Sequence, residues 1–225
     1  MPVVLGEQLL LNVKMGEPTN ALEYSLQKLD MGDLTGSLIS DNTKKAFWIN
    51  IYNAYFQILS VRERKTKPHI FKQRLIPIAG RVFCLDDIEH SILRRYRWKF
   101  GLGYLSQLFP LKIIQQLAVS NIDFRIHFAL NCGAKSCPPI AFYEADSIDK
   151  QLYLATQSFL ENETVINEPK KTVSVTKLMQ WFRADFGGIT GIKKILAQYL
   201  KKDFTGYTMH YTDYNWSQQL NKFAQ

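Results

Sequence analysis

Residues 43–62, TKKAFWINIYNAYFQILSVR, contain neither glycine nor proline and read as about five turns of helix. Phe47, Trp48, Ile51, Tyr52, Tyr55, Ile58 and Leu59 nearly surround that helix. A helix that is apolar all round has to be buried, so the rest of the chain must pack about this element. One narrow face breaks the pattern. Asn50, Asn53 and Gln57 recur at i, i+3 and i+7, with Thr43 and Ala46 extending the line. Each buried amide costs about 1–3 kcal/mol unless it finds partners. Two readings follow. The amides bond to passing loop backbone and fix the packing, or they line a polar pocket into which another element brings chemistry.

The other periodicities interleave helices with short strands. Helical patterns cover 19–30, 111–119, 147–162 and 189–202, and a further helix starts in VTKLMQWFRADF and stops at Gly187 and Gly188. RLIPI and VFCL flank a glycine within residues 74–85, and 163–178 carries Pro169 in its middle; both read as hairpins. DFRIHFALN (123–131) alternates like a strand, and GYTMHYTDY (206–214) like a terminal one. Asp86 stands three residues before Glu89, the spacing of a capping box, so a helix is expected from Asp86 onward. No regular βαβ order emerges. The expected class is α+β, a single domain with helices around a small, mostly antiparallel sheet. Residues 1–39 are expected to form a helical extension packed on a unit of residues 40–225.

Hydrophobic residues make up 46% of the 225 positions, enough for a full core and the reverse of a disordered chain. No run approaches the roughly 18–20 apolar residues of a membrane span. The opening lacks a basic leader and Glu7 interrupts its apolar run, so a cytoplasmic location is expected as written, with a periplasmic or secreted one if a leader was removed. The net charge of +8, gathered in VRERKTKP (61–68) and LRRYRWK (93–99), suits an anionic partner or simply solvated surface. No zinc-finger, helix-turn-helix or RNA-recognition signature accompanies it, which disfavours nucleic acid.

Chemistry concentrates in RIHFALNCGAKSCPPI (125–140). Three cysteines cannot form a disulfide framework, although Cys132 and Cys137 could pair in an exported chain. Cys132 ends the apparent strand with Gly133 behind it. The N–H groups of Gly133 and Ala134 could stabilise a thiolate or hold an oxyanion. His90 and His127 are the candidate bases. On a strand, His127 would point away from Cys132, which favours His90 in the first turn of its helix. Zinc held by His127, Cys132 and Cys137 lacks a fourth ligand and a common spacing, and no cofactor is implied. Cys84 reads as core, and Glu89 as a helix cap.

The sets AFWINIYNA (46–54), DDIEHSILR (86–94), RIHFALNCGAKSCPPI, WFRADF (181–186) and YTDYNWSQQLN (211–221) resemble, in order, the family of the domain of unknown function 547, over about residues 40–221. That family occurs in bacteria, often behind a signal peptide, and in plants joined to other domains. The resemblance implies that its recurrent polar residues fall on Asn50, Asn53, Glu89, His90 and Cys132. Its plant branch keeps the counterpart of Cys132 and replaces that of Cys137, which speaks against a shared zinc site or an obligatory disulfide. A cysteine, a histidine and an amide are the parts of a papain-like thiol hydrolase, here permuted because His90 precedes Cys132.

The leading expectation is therefore a thiol-dependent acyl-transfer hydrolase acting on a peptide, amide or small molecule. Cys132 would attack, His90 act as base, and Asn50, Asn53 or Glu89 orient the ring. The alternative is a non-catalytic ligand-binding or scaffold domain in which the same residues form a structural polar network.

Overall fold

The computed structural model describes residues 2–224. The long apolar helix, α4 (Asp41–Val61), follows α1 (Pro2–Met15), α2 (Asn20–Lys28) and α3 (Met31–Ser37). Its start is closed reciprocally: the Ser40 hydroxyl accepts the Thr43 N–H, and the Thr43 hydroxyl accepts the Ser40 N–H. Every residue from Lys45 to Leu59 is buried, as an all-round apolar helix demands. α1 packs along it through the fully buried Leu9 and Leu10. Gly6 permits the approach, because a Cβ there would lie 3.3 Å from the Phe47 ring.

The asparagine face of α4 holds loops in the manner of a neighbouring strand. Asn50 donates to the Tyr143 carbonyl at 2.8 Å and accepts the Tyr143 N–H at 3.1 Å. Asn53 donates to the Ala129 carbonyl at 3.0 Å and accepts the Asn131 N–H at 2.9 Å. Gln57 accepts the Asn221 N–H at 3.0 Å. Three stretches of irregular chain are thereby fastened to one helix.

After the short α5 (His69–Lys72), β1 (Ile76–Ile78) and β2 (Arg81–Phe83) form the expected hairpin. Ala79 and Gly80 both have positive φ, the tight turn whose twist suits two strands. A second sheet has the order β3 (Val165–Asn167), β4 (Thr172–Val175), β5 (Thr208–Tyr211). β3 and β4 are antiparallel, whereas β5 lies parallel to β4 after a crossover through α8 (Leu178–Trp181) and α9 (Gly188–Leu200). With α6 (Lys112–Leu117) and α7 (Ile148–Glu163), helices dominate two small sheets in an α+β domain.

Three local expectations are corrected. Residues 123–131 contain no strand; Phe124–Phe128 is a 3-10 helix. Asp123 starts it by accepting the Arg125 N–H at 3.1 Å, and its carboxylate is held by Lys45 at 2.9 Å. Ile126, His127 and Phe128 are all buried, so the alternation in the sequence does not mark a buried and an exposed face. The capping pair is also shifted. Glu89 does not cap; instead Asp87 reaches back to the Cys84 N–H at 3.0 Å. The helix then widens into π-helical geometry over Asp87–Leu93, with Arg94 N–H bonded to the Glu89 carbonyl five residues back. Finally, the WFRADF region leaves α8 after Trp181 and continues as successive tight turns to Gly187.

The core divides into two clusters. One surrounds α4; the other joins Phe128 to α7, α9 and the three-stranded sheet.

Candidate active site

A cleft of about 280 Å³ opens where the two clusters meet, with Tyr52 and Leu130 on one side and Leu178 and Phe182 on the other. Cys132, His90 and Glu89 all line it, although they come from two remote segments. Cys137, His127 and Asp86 line it as well. Asn50 and Asn53 do not; their amides are spent on loop backbone. The Gly133 N–H is committed to the Asn131 side chain at 2.7 Å, and the Ala134 N–H is directed at the Cys137 sulfur. Neither expected oxyanion donor is free. Gly133 is nonetheless required: its φ is +69°, and a Cβ would meet the Phe56 ring at 2.5 Å.

The two cleft thiols form a pair. Their sulfurs lie 2.9 Å apart, and the Tyr214 hydroxyl sits 3.2 Å from Cys137 and 3.7 Å from Cys132. The Cys132 N–H also donates to the Cys137 sulfur at 3.2 Å. Burial alone would raise the Cys137 thiol. Donation from Cys132, from Tyr214 and from the Ala134 and Cys132 amides reverses this and brings it down to about 6. The hydrogen bond to Cys137, then burial, push Cys132 well above the ordinary thiol value. Physically, one proton is shared: Cys137 carries the charge and Cys132 supplies the S–H. Among the described residues no imidazole bonds to Cys132, so the expected Cys–His contact is absent.

The histidines belong instead to a buried network. Arg94 donates to Nδ1 of His90 at 2.9 Å. Because a guanidinium has no lone pair to offer, Nδ1 must accept, and His90 carries its proton on Nε2. Nε2 lies 3.7 Å from Asp86, and Glu89 lies 3.8 Å from Nδ1, both outside hydrogen-bond reach. Burial lowers the His90 pKa against the pull of Glu89. Glu89 accepts from the Tyr52 hydroxyl at 3.2 Å. Burial would raise its carboxyl, but His90, Arg94 and His127 hold it low.

Arg94 also clasps Asp185 at 2.6 and 3.2 Å, and both side chains are fully buried. His127 donates from Nε2 to the same carboxylate at 2.9 Å and stacks on Phe182 at 4.0 Å. Burial lowers the His127 pKa more than Asp185 raises it. Its Nδ1 has no hydrogen-bond partner among the described residues, so a lone pair remains on a ring that lines the cleft. Asp185 and Arg94 escaped sequence reasoning, whereas Cys132 and Cys137, expected to pair only as a disulfide in an exported chain, meet as free thiols. The available signal was a charge set between Phe182 and Phe186, since a charge in an aromatic run needs a buried partner.

The sequence model of a family described as "Protein of unknown function, DUF547" matches residues 37–160, more than half of the chain. The chain belongs to the DUF547 family. No curated protein and no solved structure matches it. The DUF547 match includes Asn50, Asn53, Glu89, His90, Arg94, His127 and both cleft cysteines, while Asp185 and Tyr214 lie beyond it. In this DUF547 chain the segment after residue 160 therefore completes the cleft: it supplies the carboxylate between Arg94 and His127 and the hydroxyl on the sulfur pair.

Proposed function

We propose that the cleft is a thiol-dependent active site for acyl transfer, hydrolysing a peptide, amide or small-molecule substrate. Cys132, the more exposed sulfur, attacks, and Cys137 takes its proton. The observation that supports this reading is the sulfur pair at 2.9 Å, with one member held as a thiolate by amide and hydroxyl donors. As the Cys132 sulfur bonds to the carbonyl carbon, its proton passes to Cys137 and the C=O pair moves to oxygen. The Nε2–H of His90, a fixed donor because of Arg94, suits that oxyanion. This transfers His90 from the expected role of base to that of donor. Collapse expels the amine or alcohol, which takes the proton from Cys137. Water then attacks the thioester and gives a proton to Nδ1 of His127. Collapse releases the carboxylic acid, and the imidazolium returns its proton to Cys132.

Alkylation with iodoacetamide across pH, with mapping of the labelled residue, tests the claim. Labelling of the pair should follow the ionisation of Cys137, with an apparent pKa near 6. Values at or above the ordinary thiol pKa of about 8.5 for both cysteines would end the proposal.

The same distance favours a second reading, a dithiol that cycles with a disulfide. The Cys137 thiolate would attack oxidised glutathione and expel one glutathione thiolate, and Cys132 would then displace the second as the S–S bond forms, its one proton leaving with a glutathione thiol; glutathione takes the two electrons. Equilibration in glutathione buffers separates the readings. A pair that stays reduced at oxidising ratios excludes the redox role and leaves acyl transfer standing.

A further inference from the structure

We propose that the hairpin and turn over residues 95–112 form a docking surface for an anionic lipid bilayer. Eight of the chain's exposed large apolar side chains fall between residues 98 and 111. Phe109 is 94% exposed, Leu108 84%, Leu111 65% and Phe100 62%. Such side chains turned to water in one segment mark a surface that is covered in use.

The segment is held in place. The Trp98 N–H bonds to the Leu105 carbonyl at 2.9 Å, and the Ala184 N–H to the Leu102 carbonyl at 3.0 Å. Gly103, with φ of +82°, is wedged so close to the buried Arg94–Asp185 pair that a Cβ would lie 2.9 and 2.8 Å from their side-chain atoms. The hairpin is therefore pinned at its tip by the network behind the cleft, and its apolar side chains stay outward.

Its charge selects the occupant. Between Glu89 and Asp123 the chain has no acidic residue. Arg94 and Lys99 are paired with Asp185 and Asp86, but Arg95, Arg97 and Lys112 make no ion pair among the described residues. Trp98 and Tyr104 beside leucines, phenylalanines and unpaired cations are the residue types of a bilayer interface. Leu108 and Phe109 have no use against the phosphates of nucleic acid. No helix among the described residues is long and apolar enough to cross a membrane, so the attachment is to one leaflet. Lys99 and Phe100 also line the cleft, and a docked bilayer faces its mouth.

Flotation with phosphatidylcholine vesicles, with and without phosphatidylglycerol, tests the surface. Wild-type protein should float with the anionic vesicles and much less with the neutral ones. Arg95→Glu with Lys112→Glu should weaken that binding by at least about tenfold. Leu108→Ser with Phe109→Ser should abolish it, and both pairs should keep the wild-type melting temperature because the side chains are exposed. Absence of binding to anionic vesicles, or unchanged binding by the Leu108→Ser/Phe109→Ser protein, overturns the proposal. So does a wild-type dimer, seen by sedimentation, that this variant converts to a monomer without any vesicle binding; the face would then belong to a second copy.

Discussion

An N–H of Arg94 points at Nδ1 of His90 across 2.9 Å, and this contact limits what the imidazole can do. Protonating Nδ1 would set two donors against each other. His90 is thus a neutral ring with Nε2–H available, whereas His127, whose Nε2 proton is held by Asp185, keeps its lone pair on Nδ1. One guanidinium and one carboxylate fix the same Nε2–H tautomer on two histidines in the same cleft, leaving a proton available on His90 and a lone pair available on His127.

Breaking that guanidinium–carboxylate pair should be costly. Arg94→Met leaves Asp185 as a buried charge short of a partner, and Asp185→Leu strands Arg94 in the same way. Each single variant should lose about 3–5 kcal/mol in urea unfolding, whereas Arg94→Met/Asp185→Leu together should lose less than the sum. Strictly additive losses would show that the two charges do not depend on each other.

Stability should fall on acidification. His90 and His127 have folded pKa values below the ordinary 6.5, so the unfolded chain binds protons first as pH drops through that value. They subtract nothing above it, and their penalty grows between about 6.5 and their folded values. Glu89 and Asp185 are lowered as well; their contribution is present above the unfolded carboxylate range and vanishes as pH falls through their folded values. Both effects have one sign. Cys137, lowered to about 6 from an ordinary thiol value near 8.5, adds a loss of the same sign that begins above neutrality, so the melting temperature should decline steadily as pH falls below about 8.5, with a shallower decline below 6.5 in His127→Gln. A level profile down to the carboxylate range would contradict the burial of both rings.

How much of this was legible depended on range along the chain. α4 could be read because an all-round apolar helix has one physical outcome, and the hairpins because turn chemistry is local. The 123–131 strand was misread because Asp123 organises a 3-10 turn through Lys45, a residue 78 positions away. The capping frame slipped because Asp86 and Asp87 are adjacent acids and only one reaches back. Asn50 and Asn53 were visible as an anomaly, and of the two readings open for it the backbone clamp is the one their bonds follow. Asp185 was hidden because its partner stands 91 residues earlier, and nothing in WFRADF indicates which cation it meets. The shared proton was hidden because the Gly133 turn, not the C-x4-C spacing, brings the sulfurs together.

Asn53→Ala should combine a fold effect with a site effect. It leaves the Ala129 carbonyl and the Asn131 N–H buried without partners, for about 2–6 kcal/mol in total. Asn131 in turn holds the Gly133 N–H, so the cysteine turn loosens. Faster hydrogen exchange at Gly133 than in wild type, under conditions where the variant is fully folded, is the expected readout. Unchanged exchange there would separate the clamp from the thiols.

Cys137→Ser discriminates most sharply among accounts of the thiol. Cys132 is raised first by its hydrogen bond to Cys137, then by burial, then by the Cys137 charge. A serine hydroxyl removes the charge and the acceptor thiolate together, so Cys132 should return toward the ordinary thiol range near 8.5. In the wild type Cys137 holds the charge of the pair, its thiol brought down to about 6, so the pair is mostly singly ionised at neutral pH. At pH 7 the thiolate population should therefore fall by about thirtyfold in the variant, and alkylation should slow by about that factor, offset in part by the greater nucleophilicity of a more basic sulfur. Cys132→Ser should do less: Cys137 keeps the Tyr214 hydroxyl and two amide donors, and its pKa should remain below the ordinary value. The reverse order, with Cys132→Ser removing the low-pKa thiol and Cys137→Ser leaving it intact, would place the charge on Cys132 and overturn the transfer of its proton to Cys137.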